Sequence, residues 1–308
     1  MNKELQAIFI KDLNKNYGKT EVLKNINLSI NEGEFYCMMG PNGSGKTTLA
    51  AILASIKKQS SGLVKIYDNT PEKSRALIGY MPQENFISAY LTGRENLAYF
   101  AGLMGFKGND LKIIVSELLK KVGLEKDADK LVSKYSGGMK KRLELATILF
   151  NGIKVLILDE PTTGLDPSAR RDFFNLIKDN AKNDTTIFLI THIGTDAELA
   201  DRIGLINKGE IIAEGTPEEL KRKYNLKNVL TIETVYKDKK IKDILSSIAN
   251  SGDVFETDLG YKMYSDDITK DIPFIIKKLE QEGFSVNRLE STTSTLDDVF
   301  YKITGRLI

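Results

Sequence analysis

The segment Gly40-Pro41-Asn42-Gly43-Ser44-Gly45-Lys46-Thr47-Thr48 constrains this chain more than any other. It fits the spacing G-x-x-x-x-G-K-[ST], with the apolar run Phe35 to Met39 before it and a helix-forming stretch after it. A buried strand, a tight loop and a helix are therefore expected in succession. Glycines let backbone N–H groups converge on phosphate oxygens, and the helix starting near Lys46 adds the positive end of its dipole. Lys46 offers a cation to the β- and γ-phosphates, and Thr47 a hydroxyl to Mg²⁺. ATP with Mg²⁺ is the expected ligand of Gly40 to Thr48.

A second buried strand, Val155 to Leu158, runs into Asp159-Glu160. Phosphoryl transfer to water needs a metal anchor and a group that orients the water. Asp159 is expected to hold Mg²⁺, directly or through water, and Glu160 to act as general base. The plainer alternative has both acids merely opening the turn Pro161-Thr162-Thr163-Gly164. His192, the chain's only histidine, follows the β-rich run Thr186 to Thr191. An α/β sheet binds ligands where its strands end, so a γ-phosphate contact is expected there.

With 308 residues, two domains are expected, divided at 225/226. Residues 1–225 alternate β-branched runs with helical patterns, which is the α/β class. From about 85 to 150 the strand signal stops. Leu97, Phe100, Ala101 and Met104, then Leu111, Ile114, Val115, Leu118 and Leu119, recur at helical spacing, predicting a helical insert. Residues 226–308 read as an α+β, ferredoxin-like β-α-β-β-α-β module. Its strands fall at Val229 to Val235, Val254 to Thr257, Tyr261 to Tyr264 and Phe284 to Leu289. Its helices fall at Lys239 to Ala249 and Asp271 to Glu282, with Pro273 in the first turn of the latter, and Leu296 to Ile303 forms a closing helix.

Lys and Arg total 44 against 42 Asp and Glu, a near balance that gives no field for gripping nucleic acid. No uncharged apolar run approaches the roughly 18 residues that span a bilayer, and MNKELQAIF lacks a signal peptide's apolar stretch. The chain is expected to stay in the cytoplasm. Cys37, the one cysteine, lies in an apolar run and reads as a packed side chain.

The loop, Ser136-Gly137-Gly138, VLILDEP and the ITH strand end together resemble the ATP-binding cassette (ABC) family, in that family's order over residues 1–220. The resemblance implies a P-loop NTPase nucleotide-binding domain whose Ser136, Gly137 and Gly138 contact ATP held by a second copy. A helix N-terminus behind a serine and two glycines is physically suited to an anion. The resemblance also makes Gln83 the link from Mg²⁺ and water to the helical insert. Tyr17 becomes an adenine-stacking residue, and Asp166 a coupling residue at the dimer seam. Asp166 before Pro167 also reads simply as a helix cap.

Where the family has Leu-Ser-Gly-Gly-Gln, this chain has Tyr135-Ser136-Gly137-Gly138-Met139. That variant, with Leu296-Asp297-Asp298-Val299-Phe300, resembles the drug-efflux and sodium-export branch. The implied partners are a second ATPase subunit, as a homodimer, and separate membrane permease subunits on the inner face of the membrane. Alternatives are the motor of an importer and a soluble, non-transport ATPase. The C-terminal module reads as a dimer brace or a ligand sensor; the brace fits better because no cluster of metal-type ligands or catalytic triad is visible.

Overall fold

A computed structural model describes residues 5–180, 184–224, 226, 228–248, 254–265 and 267–305. Residues 1–4 of MNKELQAIF, Asn225 and Ala249 lie outside the described residues. Contacts divide the chain into two units, Met1–Glu214 and Gly215–Ile308.

The first unit begins with β1 (Gln6–Tyr17), β2 (Thr20–Asn31), β3 (Phe35–Met39), α1 (Lys46–Leu53), β4 (Ser61–Ile66) and β5 (Ile78–Met81). The insert follows as α2 (Gly93–Leu103), α3 (Gly108–Lys121) and α4 (Gly137–Ala146). Next come β6 (Val155–Asp159), α5 (Pro167–Asn180), β7 (Thr186–Thr191), α6 (Gly194–Ala197), β8 (Arg202–Asn207) and β9 (Glu210–Gly215). β2-β1-β4 form an antiparallel sheet, and the other strands form a second sheet in the order β5-β6-β7-β3-β8-β9. From β5 to β8 its neighbours run parallel.

Every residue of β3, β6 and β7 is buried, as unbroken apolar runs require in a sheet covered on both faces. Leu49, Ile52 and Leu53 of α1 share one core with Ile8, Leu23 and Ile26 of the antiparallel sheet and with Met38, Ile157 and Phe188 of the parallel one. Burying each such side chain contributes about 1.5–3 kcal/mol, which anchors α1 and the loop before it. Register then sets the site: Met39 pairs with Thr191, and Asp159 with Ile190. Gly40, Glu160 and His192 thus leave the sheet side by side.

In the insert, α3 buries Ile114, Val115, Leu118 and Leu119, the stripe expected from spacing. Met104 departs from expectation. α2 ends at Leu103, so Met104 sits at its C-cap, half exposed.

The second unit contains α7 (Pro217–Lys223), β10 (Asn228–Thr234), α8 (Lys239–Ile248), β11 (Val254–Glu256), β12 (Gly260–Ser265), α9 (Ile268–Gln281), β13 (Val286–Thr293) and α10 (Leu296–Thr304). Its sheet is antiparallel throughout, in the order β11-β12-β10-β13, which is the split arrangement expected of β-α-β-β-α-β. Leu230, Ile232 and Met263 pack against Ile241 and Leu245 of α8 and Ile275 and Leu279 of α9.

Three expectations shift here. The units divide after Glu214 rather than at 225, because α7 packs on α10. α9 starts at Ile268, since the Asp267 side chain accepts from Lys270 N; Pro273 therefore lies in the helix interior rather than in its first turn. Phe284 ends α9 rather than opening β13: its N–H donates to Leu279 O at 2.9 Å behind the left-handed Gly283.

Candidate nucleotide site

The loop leaves β3 at Gly40, where a Cβ would stand 2.2 Å from Ile206 O, so only glycine fits. It enters α1 through Gly45 at φ +107°, a left-handed position whose added Cβ would also meet Leu23 Cδ2 at 2.7 Å. α1 has no side-chain cap, leaving its first N–H groups directed into the loop. Ser44 is buried and its hydroxyl has no partner.

Lys46 is buried, and its ammonium donates to Gly40 O at 2.6 Å and Pro41 O at 2.9 Å. Burial pushes its pKa down, while the carboxylates of Glu160 and Asp159 oppose that shift. Lys46 Nζ stands 3.9 Å from Glu160 Oε1.

Glu160 is the hub of the site. Its Oε2 accepts from Gln83 Nε2 at 3.1 Å and from Thr163 Oγ1 at 3.3 Å, and its Oε1 lies 3.1 Å from His192 Nδ1. Glu160 holds φ +48°, a strained backbone for a residue with a side chain, and its N–H donates to Ile190 O at 2.9 Å. Such strain persists only where the surroundings impose it, and it concentrates at functional sites.

Asp159 is fully buried and accepts from Thr47 Oγ1 at 3.3 Å through Oδ1, while Oδ2 has no partner. Burial pushes its pKa up to about 6; Glu160 adds to the rise, while the Thr47 hydroxyl and Lys46 oppose it. A carboxylate raised in this way favours folding only when protonated. That contribution is present below about pH 3.8 and is lost as pH rises through about 6. At pH 7.5 the ionised group costs the nucleotide-free protein up to about 3 kcal/mol. Asp159→Asn, which keeps an acceptor for Thr47, is therefore expected to melt several degrees higher than wild type at pH 7.5 and equally below pH 4. Equal melting at both pH values in thermal scans without nucleotide would refute this.

The other expected residues are placed as follows. Tyr17 ends β1, 42 % exposed, with the ammonium groups of Lys15 and Lys57 at 4.9 and 5.0 Å from its ring centre. Lys57 is the main cause lowering its pKa, and Thr48 contributes. Asp166 accepts from Ser168 N at 2.9 Å and Ala169 N at 3.0 Å, so the capping role is present at the start of α5. Ser136 caps α4 by accepting from Met139 N at 3.3 Å, and Gly138 faces Ala169 of α5. Among the described residues no hydrogen bond joins Ser136, Gly137 or Gly138 to the loop 40–48. Cys37 is buried without a disulfide partner, and burial raises its pKa well above the usual thiol range.

Thr163, on Glu160, was not expected from sequence. Neither was the buried pair of Thr162 and Asp196, whose hydroxyl and carboxylate hydrogen-bond across 34 positions. Thr163 lies in a turn already noted; nothing in the sequence marks the second contact.

Comparison with known proteins places these features. The family model "ABC transporter" matches residues 23–163, and "ATP-binding protein DrrA1-3-like, C-terminal domain" matches 215–304. The daunorubicin resistance ATP-binding protein DrrA2 of Streptomyces coeruleorubidus is 33 % identical over 97 % of this chain and 95 % of its own length. ABC transporter A family member 5 of Arabidopsis thaliana is 34 % identical over 91 % of this chain, which spans 31 % of that relative. Among solved structures, cbiO1 of Clostridium perfringens, part of the ABC transporter complex cbiONQ, has a TM-score of 0.65 at 31 % identity, covering 71 % of this chain and 91 % of its own. A dimeric post-hydrolysis state of the ATP-binding cassette MJ0796 with ADP and Pi has a TM-score of 0.61 at 29 % identity, covering 68 % and 98 %. A relative matched end to end and two family models covering successive parts of the chain agree with the site geometry: the chain belongs to the ATP-binding cassette family, among the DrrA-type ATP-binding proteins.

Proposed function

We propose that this chain is the ATP-hydrolysing subunit of an exporter, working as a dimer on separate membrane subunits. The observation that carries the chemistry is the convergence of Gln83, Thr163, Lys46 and His192 on the strained Glu160. Gln83 and Thr163 hold Oε2, leaving Oε1 toward Lys46 and His192 to take a proton from water as general base. Lys46 and the open N–H groups of α1 neutralise phosphate charge, and Ser44 Oγ supplies a further donor. Tyr17, beside Thr48, offers its ring to adenine once the lysines above it move.

The unpartnered Asp159 Oδ2 beside the Thr47 hydroxyl makes a hard oxygen set suited to Mg²⁺, with Gln83 as a third donor. Bound there, Mg²⁺ would neutralise charge on the β- and γ-phosphates. Ser136, Gly137 and Gly138, not bonded to their own loop, serve a nucleotide on the partner copy, and Asp166 lies at that seam. Export is supported by the end-to-end relative named for daunorubicin resistance. No helix among the described residues is long and apolar enough to cross a membrane; the separate permease subunits at the inner face belong to the exporter reading, which rests on the likeness to DrrA2.

Composite sites make a specific demand on mixed chains. A Lys46→Met chain has no working loop, and a Ser136→Arg chain has no working signature. Each should be inactive alone, yet mixing them should restore ATPase activity, because one site then combines an intact loop with an intact signature. Phosphate release from the mixture no greater than from the separate variants would refute a shared site.

A further inference from the structure

We propose that Asp196 is a positioning residue for hydrolysis, tying the turn that carries Glu160 and the segment that carries His192 to the first turn of α5. Thr162, two residues past Glu160, donates its hydroxyl to Asp196 Oδ2. Arg170 Nε lies 3.6 Å from Oδ1, and Asp196 N donates to Ile193 O at 3.1 Å, beside His192. Asp196 and Thr162 are each 1 % exposed. A carboxylate is costly to bury, so one kept there must be held by its partners. Burial raises the Asp196 pKa, while Thr162, Arg170 and His192 oppose the rise.

The first turn of α5 bears on the rest of the proposed machinery. Arg170 N donates to Asp166 O at 3.0 Å, and a Cβ on Gly138 would lie 3.5 Å from Ala169 Cβ. One helical turn therefore carries the Asp166 cap, the surface against α4 behind Ser136, and the cation paired with Asp196. Movement of the His192 segment when a γ-phosphate arrives or leaves reaches that turn through Asp196 and Arg170. This coupling rests on the roles proposed for Glu160 and His192; the contacts themselves do not.

The test uses full-length Asp196→Asn, Asp196→Glu, Arg170→Met and the double variant Asp196→Asn/Arg170→Met, with kcat and equilibrium ATP binding measured for each. Asp196→Asn keeps an acceptor for Thr162 and loses the charge facing Arg170. The expected result is a kcat lowered about 10- to 100-fold with ATP affinity within about twofold of wild type. The double variant should be no worse than the singles, because both break one linkage, and Asp196→Glu should recover part of kcat. Unchanged kcat in Asp196→Asn, additive losses in the double variant, or parallel loss of ATP affinity and melting temperature without rescue by Glu would each overturn the proposal. Should Asp196→Asn not fold, Thr162→Val decides by the same split of kcat from binding. Glu160→Gln is run separately: turnover surviving there would refute the base assignment, while the Asp196–Arg170 cycle would still report in kcat.

Discussion

Glu160→Gln is expected to lower the rate of ATP hydrolysis by about 10²- to 10⁴-fold, the range lost with a general base, while ATP binding stays within a few-fold of wild type. The substitution keeps size and shape, so the strained backbone at φ +48° and the Glu160 N–H bond to Ile190 O are retained. It removes the negative charge that Lys46 and His192 face at 3.9 and 3.1 Å. An amide there can still meet Gln83 and Thr163 through its oxygen but cannot take a proton from water. With closure on ATP intact and cleavage blocked, the variant should accumulate as a dimer in MgATP. Phosphate release and size-exclusion chromatography read the two effects. Wild-type turnover would refute the assignment of Glu160 as base, and an absence of ATP-dependent dimer would refute the shared site.

The second large effect falls on binding. Lys46→Ala is expected to weaken ATP binding by at least about 10²-fold and to abolish measurable turnover, since a buried charged hydrogen-bond partner contributes about 2–5 kcal/mol. The Lys46 ammonium donates to Gly40 O and Pro41 O, which holds it inside the loop expected to take the phosphates. The alanine variant also leaves buried Asp159 and Glu160 with less positive charge nearby. Its nucleotide-free stability should therefore fall most as pH rises above about 6, where Asp159 is ionised. Equilibrium titration with ATP and melting at two pH values separate the effects. Unaltered ATP affinity would sink the assignment of Lys46 to the phosphates.

The loop at 40–48 and the strand ends at Asp159 and His192 were legible in the sequence because their signals are local. A glycine spacing, an unbroken apolar run and the polar residue that ends it each report on a few neighbouring residues. The same locality explains the misplaced edges. The start of α9 depends on the Asp267 cap, the unit boundary depends on α7 packing against α10, and neither leaves a periodic trace.

What only tertiary structure decided is which oxygen of which carboxylate has a partner. Parallel register brings Gly40, Glu160 and His192 together from positions far apart in sequence, and hydrogen bonds then put Gln83 and Thr163 on one oxygen of Glu160 and leave Asp159 Oδ2 unpartnered. Thr162 and Asp196 meet in the same way. The GPNGSGKTT pattern by itself determined a glycine-built loop between a buried strand and a helix, because glycine spacing and strand burial are properties of adjacent residues. The arrangement of charge around Glu160 required the sheet, because it depends on distances between residues that the chain's covalent order does not restrain.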